Sequence, residues 1–432
     1  MKSLRLRLVI PGLVIVLLAA IAPDAAAQLK AGAARVDITP AIADLPAPFT
    51  SISTNVYVRS LVLDDAGKRV VIVVADLPTI DPQILDDLFK RIASAAAVPA
   101  SNVIMAVTHT HNGVRLANDG LGVILPGSTK ITKMVSERIV ESVQQAIANL
   151  QPARAGFATG AFHLAASRTQ AAAADQGPSP EPATIGVFKV ESESGDLISM
   201  IVSGGPEPVM GMSMNSKISA DVAGVMERYI EQRFADKPVV IYTVASPPML
   251  VVNGRQRIQG ATPADPAALM SAVGTILGEE VLAASTRIKT IPELPLSGAV
   301  QILTCPGKAT SPLNNAGSCS DQPGSKLPRC IFTDKDTGPV DLRIGLIRLG
   351  DLSIVTTDAN IGPVVWQEVQ NRVPSPANTM LLALTYGPVH YVVPDAEYPT
   401  NSYQATASMV KRGCAEKGFV ADVLSLLKPE AK

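Results

Sequence analysis

The chain has 432 residues, a formal net charge of −1 and 47% hydrophobic residues, but only 4% aromatic residues. This length excludes a peptide hormone or a single small binding module, and the balance of 37 basic and 38 acidic residues argues against nucleic acid as a main partner. An aliphatic core interrupted by 31 glycines and 34 prolines is typical of a mixed α/β enzyme with a neutral or small ligand.

The first 27 residues have the pattern of a secretory signal peptide. Basic residues precede an apolar run over residues 8–22, and Ala25, Ala26 and Ala27 supply the small residues of a cleavage site. A membrane anchor is the alternative, but the apolar run is shorter than the roughly 20 residues that span a bilayer. The sequence therefore predicts an exported protein, periplasmic or secreted, that starts near Gln28 and has no stable membrane anchor.

Strands and helices are predicted to alternate along the rest of the chain. Two β-branched runs joined by a turn, NVYVRSLVLDD and KRVVIVVADL, predict a hairpin. A helix then begins near Pro82, and NVIMAVTHTH predicts a buried strand. The same patterns next predict a helix SERIVESVQQAIANL, a hairpin ATIGVFKVESESGDLISMIVSG, a helix ISADVAGVMERYIEQRFA and a strand KPVVIYTVAS.

The second half continues this alternation. It predicts a helix over 266–283, a hairpin LRIGLIRLGDLSIVTT, a helix over 363–373, a strand NTMLLALTYG and one last helix SYQATASMVKRGCAEKGFVADVLSLL. Hairpins mixed with helical crossovers indicate an α/β fold of mixed β-sheets flanked by helices. No strongly polar linker divides residues 28–432, which are therefore predicted to form a single large domain.

The four cysteines are Cys305, Cys319, Cys330 and Cys414. An even number of cysteines in an exported protein favours disulfides, and the first three lie in a Gly-, Pro- and Ser-rich loop insertion near residues 304–341. The sequence predicts two disulfides and leaves the three pairings open. A zinc site is the rival interpretation, although the chain has no Cys-x-x-Cys pair.

Two of the four histidines, His109 and His111, follow one another at the end of an apolar strand. Residues i and i+2 of a strand project from the same face, so the two imidazoles are predicted to meet. They come just before the turn at Asn112 and Gly113, at a strand end of the kind where α/β proteins bind ligands. The pair is a candidate for binding a metal or a polar substrate, and two hydrogen-bonded histidines are the alternative.

A series of motifs resembles the neutral/alkaline non-lysosomal ceramidase family. AGAARVDITP is similar to the start G-x-x-x-x-D-I-T-P of that family, and AVTHTHNG to its T-H-T-H-S-G-P motif. Three further segments follow in the same order as in the family. ISADVAGVMERYIE is similar to the helix S-x-D-x-x-G, VVIYTVASPP to the strand ending in G-D-V-S-P, and TYGPVHYVVPDAEYPTNSY to a tyrosine-rich segment. The resemblance covers nearly all of the chain after the leader and implies the α/β fold of that family.

The family holds one zinc ion with two histidines, a glutamate and a tyrosine, and cleaves the N-acyl bond of ceramide. The resemblance implies that His109 is a zinc ligand, that His111 lies on the substrate side and that Ser246 is the catalytic serine. Tyr386 and Tyr391 are the two candidates for the tyrosine, with Tyr386 taken as the ligand and Tyr391 as a substrate contact.

Asp221 matches the S-x-D-x-x-G aspartate, so it is a predicted substrate contact, with a helix cap as the alternative. The other two family ligands differ in this sequence. The family histidine of H-P-T-S-M is replaced in the run Gly204-Gly205-Pro206-Glu207, and its P-G-E glutamate in the run Thr357-Asp358-Ala359-Asn360. Three residues near these positions can bind zinc through oxygen or imidazole and are predicted ligands of a rearranged site: Glu207, Asp358 and His390.

The resemblance implies an exported, zinc-assisted hydrolase that acts on linear amide C–N bonds. It would cleave the N-acyl bond, or an ester, of an acylated small molecule or lipid, with a role in lipid metabolism. A ceramidase-like binding protein that has lost zinc is the alternative. A metal-dependent barrel hydrolase is disfavoured, because only His163 and His390 remain as further histidine ligands and the eightfold alternation is absent.

Overall fold

The structure is a computed structural model. It describes residues 28–117, 127–167, 183–211, 216–245, 250–252, 265–309, 318–320, 329–331, 335–383, 389–400 and 402–428. The predicted signal peptide lies outside these residues and stays a prediction.

The described helices are α1 (Pro82–Ala96), α2 (Thr129–Ala148), α3 (Asp221–Arg233), α4 (Pro266–Ser285), α5 (Pro363–Arg372), α6 (Tyr403–Ala407) and α7 (Ala415–Leu426).

The described strands are β1 (Lys30–Asp37), β2 (Ser51–Ile52), β3 (Tyr57–Asp65), β4 (Lys68–Ala75), β5 (Val103–Val107), β6 (Gln151–Phe162), β7 (Ala165–Ser167), β8 (Ala183–Ser192), β9 (Leu197–Ser203), β10 (Lys217–Ile218), β11 (Val239–Thr243), β12 (Leu250–Val252), β13 (Leu296–Cys305), β14 (Ser318–Ser320), β15 (Arg329–Ile331), β16 (Val340–Leu349), β17 (Leu352–Thr357), β18 (Asn360–Ile361), β19 (Thr379–Leu382) and β20 (Tyr391–Val392).

Two mixed sheets organise these elements. The larger has eight strands in the order β11-β9-β8-β6-β1-β3-β4-β5, and the smaller has four in the order β13-β16-β17-β19. Most neighbours are antiparallel, but the pairs β4/β5, β9/β11 and β17/β19 are parallel. The predicted class of mixed sheets flanked by helices is therefore confirmed.

The two sheets and the helices form four layers. Helices α1 to α4 cover one face of the eight-stranded sheet through residues such as Leu88, Ile139 and Leu277. The opposite face packs on the four-stranded sheet, and helices α5 and α7 cover that sheet in turn. Strands β4, β5 and β9 are buried on both faces, so they are continuous apolar runs rather than alternating ones.

Helix α4 is, among the described helices, the one long and apolar enough to suit a membrane span by length and composition. Its apolar residues Val273, Leu277 and Val281 are buried in the core that the helix shares with α3 and β6. In this fold it is a core helix.

The last predicted helix is wrong in its extent, because the chain forms two helices, α6 and α7, with an irregular segment between them. Ser408 ends α6 and donates a hydrogen bond from its Oγ to the carbonyl oxygen of Tyr391, at 2.8 Å. The chain then turns through Gly413 with a φ of 97°. These tertiary contacts outweigh the helical pattern of the sequence.

A disulfide joins Cys305, at the end of β13, to Cys414, just before α7. One of the predicted disulfides is therefore present, with a partner outside the predicted loop insertion. Cys319 and Cys330 lie opposite one another in the backbone register of the ribbon β14–β15.

A buried ion cluster lies between the large sheet and α3. The guanidinium of Arg59 on β3 is 3.0 Å from Asp76 Oδ2 and 2.9 Å from Glu227 Oε2, and all three side chains are buried. Glu231, also buried, accepts from Arg35 on β1. Burial raises the pKa of Glu227 well above its ordinary value, although Arg59 opposes the shift.

Candidate metal centre

The candidate site lies where parallel strands of the large sheet end. β4 and β5 run side by side and end together at Ala75 and Val107, and β9 and β11 end at Ser203 and Thr243. Ligands in open α/β sheets bind at the carboxyl ends of the strands. The loops that follow β5 and β9 carry the site residues.

His109 and His111 lie beyond the strand rather than on it, because β5 ends at Val107. His109 has a left-handed backbone with a φ of 62°, which reorients its side chain. The two rings nevertheless meet edge to face, with their centroids 4.7 Å apart and their Nε2 atoms 3.2 Å apart. The predicted meeting of the imidazoles occurs, but the loop conformation produces it and not the alternation of a strand.

Glu207 reaches the same point from the loop after β9. The loop turns through Gly204 and Gly205, whose φ angles of 106° and 99° lie in a region that L side chains rarely adopt. A Cβ on Gly204 would lie 2.8 Å from the carbonyl oxygen of Thr184. Tyr242 then donates to the carbonyl oxygen of Pro206 at 2.7 Å, which fixes the backbone just before Glu207.

Three ligand atoms converge at this point. Glu207 Oε1 lies 3.5 Å from His109 Nε2 and 3.8 Å from His111 Nε2. Ligands at about 2.0–2.1 Å from one tetrahedral zinc ion lie about 3.3 Å from one another, close to the three separations seen here. Both carboxylate distances are longer than a hydrogen bond. The group can therefore hold a metal ion.

A contact behind His109 prepares it for this role. Its Nδ1 donates a hydrogen bond to the carbonyl oxygen of Pro78, at 2.7 Å. A carbonyl only accepts, so the proton is on Nδ1 and Nε2 keeps its lone pair for a ligand. His109 and Glu207 are buried, whereas 22% of the His111 side chain is exposed. The site is therefore buried around His109 and Glu207 and accessible to solvent on the side of His111.

Hydrogen bonds brace the two loops against one another. The backbone N–H of His111 donates to the carbonyl oxygen of Pro208 at 3.1 Å. Asn112 Nδ2 donates to the carbonyl oxygen of Gly211 at 2.9 Å. The residues that carry the ligand atoms are thus held by contacts that act between the loops as well as within them.

Asp221 supports the loop that carries Glu207 through hydrogen bonds. Its Oδ2 accepts from the backbone N–H of Gly211 at 2.6 Å, and its Oδ1 accepts from that of Val222 at the start of α3. Burial raises the pKa of Asp221 to about 6, with a further contribution from Glu207 and with the backbone donors opposing the shift. Asp221 thus supports this loop and the start of α3, while its contact with a substrate stays a prediction.

The other predicted site residues lie outside the three-ligand group. Asp358, predicted as a ligand, accepts from the backbone N–H of Arg343 at 3.0 Å, and burial raises its pKa to about 7. His390 is close enough to His109 and Arg115 for both to influence it, and burial, with a smaller effect of these two, lowers its pKa. Among the described residues, the group with ligand atoms within 4.8 Å of one another contains neither.

Tyr391 lies next to His390, and its ring packs edge to face on Tyr403 with the centroids 6.1 Å apart. Ser246 and Tyr386 lie outside the described residues, so the predicted nucleophile and tyrosine ligand stay predictions. The sequence did not identify the carbonyl of Pro78, because a backbone acceptor has no residue signature. It also did not identify Lys308, a buried lysine whose Nζ donates to the carbonyl oxygen of Ala405 at 2.8 Å.

No protein-family model matches the chain. Among solved structures, it is similar to a neutral ceramidase from Pseudomonas aeruginosa, with a TM-score of 0.75 and 18% sequence identity, over 93% of this chain and 74% of that one. It is equally similar to a ceramidase complexed with C2, with a TM-score of 0.75 and 17% identity, over 94% of this chain and 77% of that one. The four layers and the strand-end site thus belong to a chain with the neutral-ceramidase fold.

Proposed function

We propose that this protein is an exported, zinc-dependent hydrolase that cleaves the N-acyl amide bond, or an ester bond, of an acylated small molecule or lipid. The convergence of His109, His111 and Glu207 carries this proposal. The same fold in ceramidases, one of them complexed with C2, supports an acylated substrate. Two imidazoles and a carboxylate are also a ligand set that hydrolytic zinc sites use.

The ligand set differs from the one that the family resemblance implies. There, the first histidine of T-H-T-H binds zinc and the second faces the substrate. Here the Nε2 atoms of both histidines point to one place, and Glu207 takes the position of the second family histidine. The composition of two histidines and one carboxylate is kept, but two of the three side chains come from other positions of the chain.

The metal and the residues around it would contribute different parts of the chemistry. Zinc held by His109, His111 and Glu207 would supply a Lewis acid that polarises the scissile carbonyl and lowers the pKa of the attacking water to about 7. His109 is held in the ligand tautomer by Pro78. The partly exposed side of His111 is where the acyl group would enter.

The test is hydrolysis by metal-free and zinc-loaded protein. The mature protein is stripped with a chelator, reconstituted with zinc, and assayed on N-octanoylsphingosine, an N-octanoyl amino acid and p-nitrophenyl octanoate. We expect amide hydrolysis that is lost on stripping and regained with zinc, and unchanged in a His163→Ala control, because that side chain is 65% exposed and pairs with Glu280.

Zinc-loaded protein that binds these compounds without cleaving them would contradict the proposal and favour the binding-protein alternative. Hydrolysis that continues unchanged in metal-free protein would contradict the zinc dependence and direct attention to Ser246. The relative rates on the three substrates would identify the bond and the leaving group.

A further inference from the structure

Strand β11 lies at the edge of the eight-stranded sheet and pairs with β9 on its inner side. The outer side of an edge strand presents backbone N–H groups that no further strand binds. Two of these groups in β11 are bound by buried carboxylates of α3 instead. The N–H of Val240 donates to Glu231 Oε1 at 3.1 Å. The N–H of Tyr242 donates to Glu227 Oε1 at 2.9 Å.

Both carboxylates also belong to the buried ion cluster. Glu227 Oε2 lies 2.9 Å from the guanidinium of Arg59 on β3. Glu231 accepts from Arg35 on β1. A buried carboxylate that binds a guanidinium and a backbone N–H together is held in one orientation, because any movement would weaken both contacts. The cluster therefore fixes β11 relative to β1 and β3.

Tyr242 connects β11 to the loop that carries Glu207. Its side chain is fully buried, and its hydroxyl donates to the carbonyl oxygen of Pro206 at 2.7 Å. Burial, together with neighbouring carboxylates, raises the pKa of Tyr242, so the hydroxyl keeps its proton and remains a donor. Pro206 is buried too, and a buried carbonyl oxygen is costly to leave without a donor.

This hydrogen bond acts on a segment whose own backbone has much freedom. Gly204 and Gly205 precede Pro206, and two consecutive glycines allow many backbone conformations. The hydroxyl lies directly against this turn, because a Cβ added to Gly205 would be 3.4 Å from Tyr242 Oη. On the other side, the backbone N–H of Val209 donates to the carbonyl oxygen of Glu207 at 2.8 Å. The peptide unit before Glu207 is thus held by the hydroxyl, and the one after it by Val209.

We propose that Tyr242 is the positioning residue for Glu207 and that its hydroxyl contributes to the zinc affinity of the candidate metal centre. The inference rests on the proposed function. Arg59, Glu227 and Tyr242 form a continuous series of contacts from β3 to the peptide unit before the carboxylate ligand. The ion cluster therefore supports the metal centre as well as the fold.

The test removes the hydroxyl and keeps the ring. Tyr242→Phe is compared with wild type and with Tyr229→Phe, which removes an exposed hydroxyl that bonds to Glu279. Zinc affinity is measured by competition with a chromogenic chelator, and thermal unfolding without metal shows that each variant is folded. We expect about a 10–100-fold loss of zinc affinity for Tyr242→Phe and no loss for Tyr229→Phe. With cobalt in place of zinc, the visible absorption of Tyr242→Phe alone should change, because the ligand geometry changes.

A double-mutant cycle separates positioning from a general structural role. In a Glu207→Ala background, Tyr242→Phe should change zinc affinity by at most about twofold, because the ligand through which it acts is absent. The same loss in both backgrounds would overturn the inference, as would equal zinc affinity in Tyr242→Phe and Tyr229→Phe. Zinc binding that depends on Tyr242, in a wild type that hydrolyses none of the three substrates, would support the inference and refute the proposed function. The two failures are therefore distinguishable.

Discussion

At the scale of single residues, Glu207 determines the charge of the candidate ligand set. With two neutral imidazoles, its carboxylate gives a ligand set of charge −1, where a third imidazole would give a neutral one. This negative charge offsets part of the charge of a divalent cation in a buried place, which favours metal binding. A second buried carboxylate, Asp358, lies outside the three-ligand group and allows a test of which acid binds the metal.

We predict that Asp358→Asn stabilises the protein at pH 8 more than at pH 5. Burial raises the pKa of Asp358 to about 7 in the folded protein, whereas it is about 3.9 in an unfolded chain. The folded state therefore holds a proton that the unfolded state releases, and stability falls as the pH rises from about 4 to about 7. Above that window the cost is at most about 4 kcal/mol, which the neutral amide avoids.

Urea unfolding of wild type and Asp358→Asn at the two pH values measures this difference, and zinc content is determined in parallel. The backbone donor from Arg343 keeps an acceptor in the variant, since an asparagine also has a carbonyl oxygen. A variant that loses zinc would show that Asp358 is a ligand after all. An equal change of stability at both pH values would contradict the raised pKa.

At the scale of elements, the sequence predicted those strands and helices whose apolar pattern is strong. The hairpins β3–β4, β8–β9 and β16–β17 and the helices α1 to α5 lie where their patterns place them. It did not predict β6, because QPARAGFATGAF is rich in Ala and Gly, which are depleted in strands. Gly156 is required there by packing, since an added Cβ would lie 2.3 Å from the carbonyl oxygen of Lys289.

The candidate site, like the fold, could be predicted from the sequence only in part. The two adjacent histidines are visible as a motif, and the run Gly204-Gly205-Pro206-Glu207 identified the carboxylate only through its alignment with a family loop. Whether Asp358, His390 or Glu207 completes the site depends on how separate loops fold against one another. Local pattern carries no information on such contacts.

We predict that Gly204→Ala weakens metal binding, whereas Gly195→Ala does not. Both glycines have positive φ angles, 106° and 90°, so alanine costs about 1 kcal/mol or more of stability at either position. At Gly195, in the turn between β8 and β9, no heavy atom lies within 4 Å of an added Cβ. At Gly204 the clash with Thr184 has to be relieved by moving the loop that carries Glu207.

Zinc affinity measured by competition with a chromogenic chelator distinguishes the two variants. We expect at least about a tenfold loss for Gly204→Ala, the size of effect seen when groups that orient metal ligands are removed. Equal zinc affinity in both variants would show that the turn does not position Glu207.

At the scale of the whole molecule, the candidate site depends on loops from separate strands of the large sheet. The loop after β5 carries His109 and His111, the loop after β9 carries Glu207, and the loop after β4 carries Pro78, which accepts from His109. Ser203 Oγ donates to the carbonyl oxygen of Leu381 at 2.5 Å, which links the two sheets close to the site. We therefore expect that the packing of the two sheets affects the position of the Glu207 loop.

We predict that Arg59→Met destabilises the whole protein by about 3–5 kcal/mol, because it leaves buried carboxylates without their cation. Burial alone would lower the pKa of Arg59, but the carboxylates of Glu227, Asp76 and Glu231 outweigh this effect and raise it. Arg372→Met, which removes an exposed pair with Glu368, should cost at most about 0.5 kcal/mol. Denaturant unfolding of both variants measures the difference, and equal small losses would mean that the cluster contributes little.

The zinc content of the purified protein tests the central claim most directly. Elemental analysis after dialysis is applied to wild type, His109→Ala, His111→Ala, Glu207→Gln and His163→Ala. We predict about one zinc per chain in wild type and in His163→Ala, and loss of zinc in each of the other three variants. Metal-free wild type, or full zinc content in His111→Ala, would contradict a metal centre built from His109, His111 and Glu207.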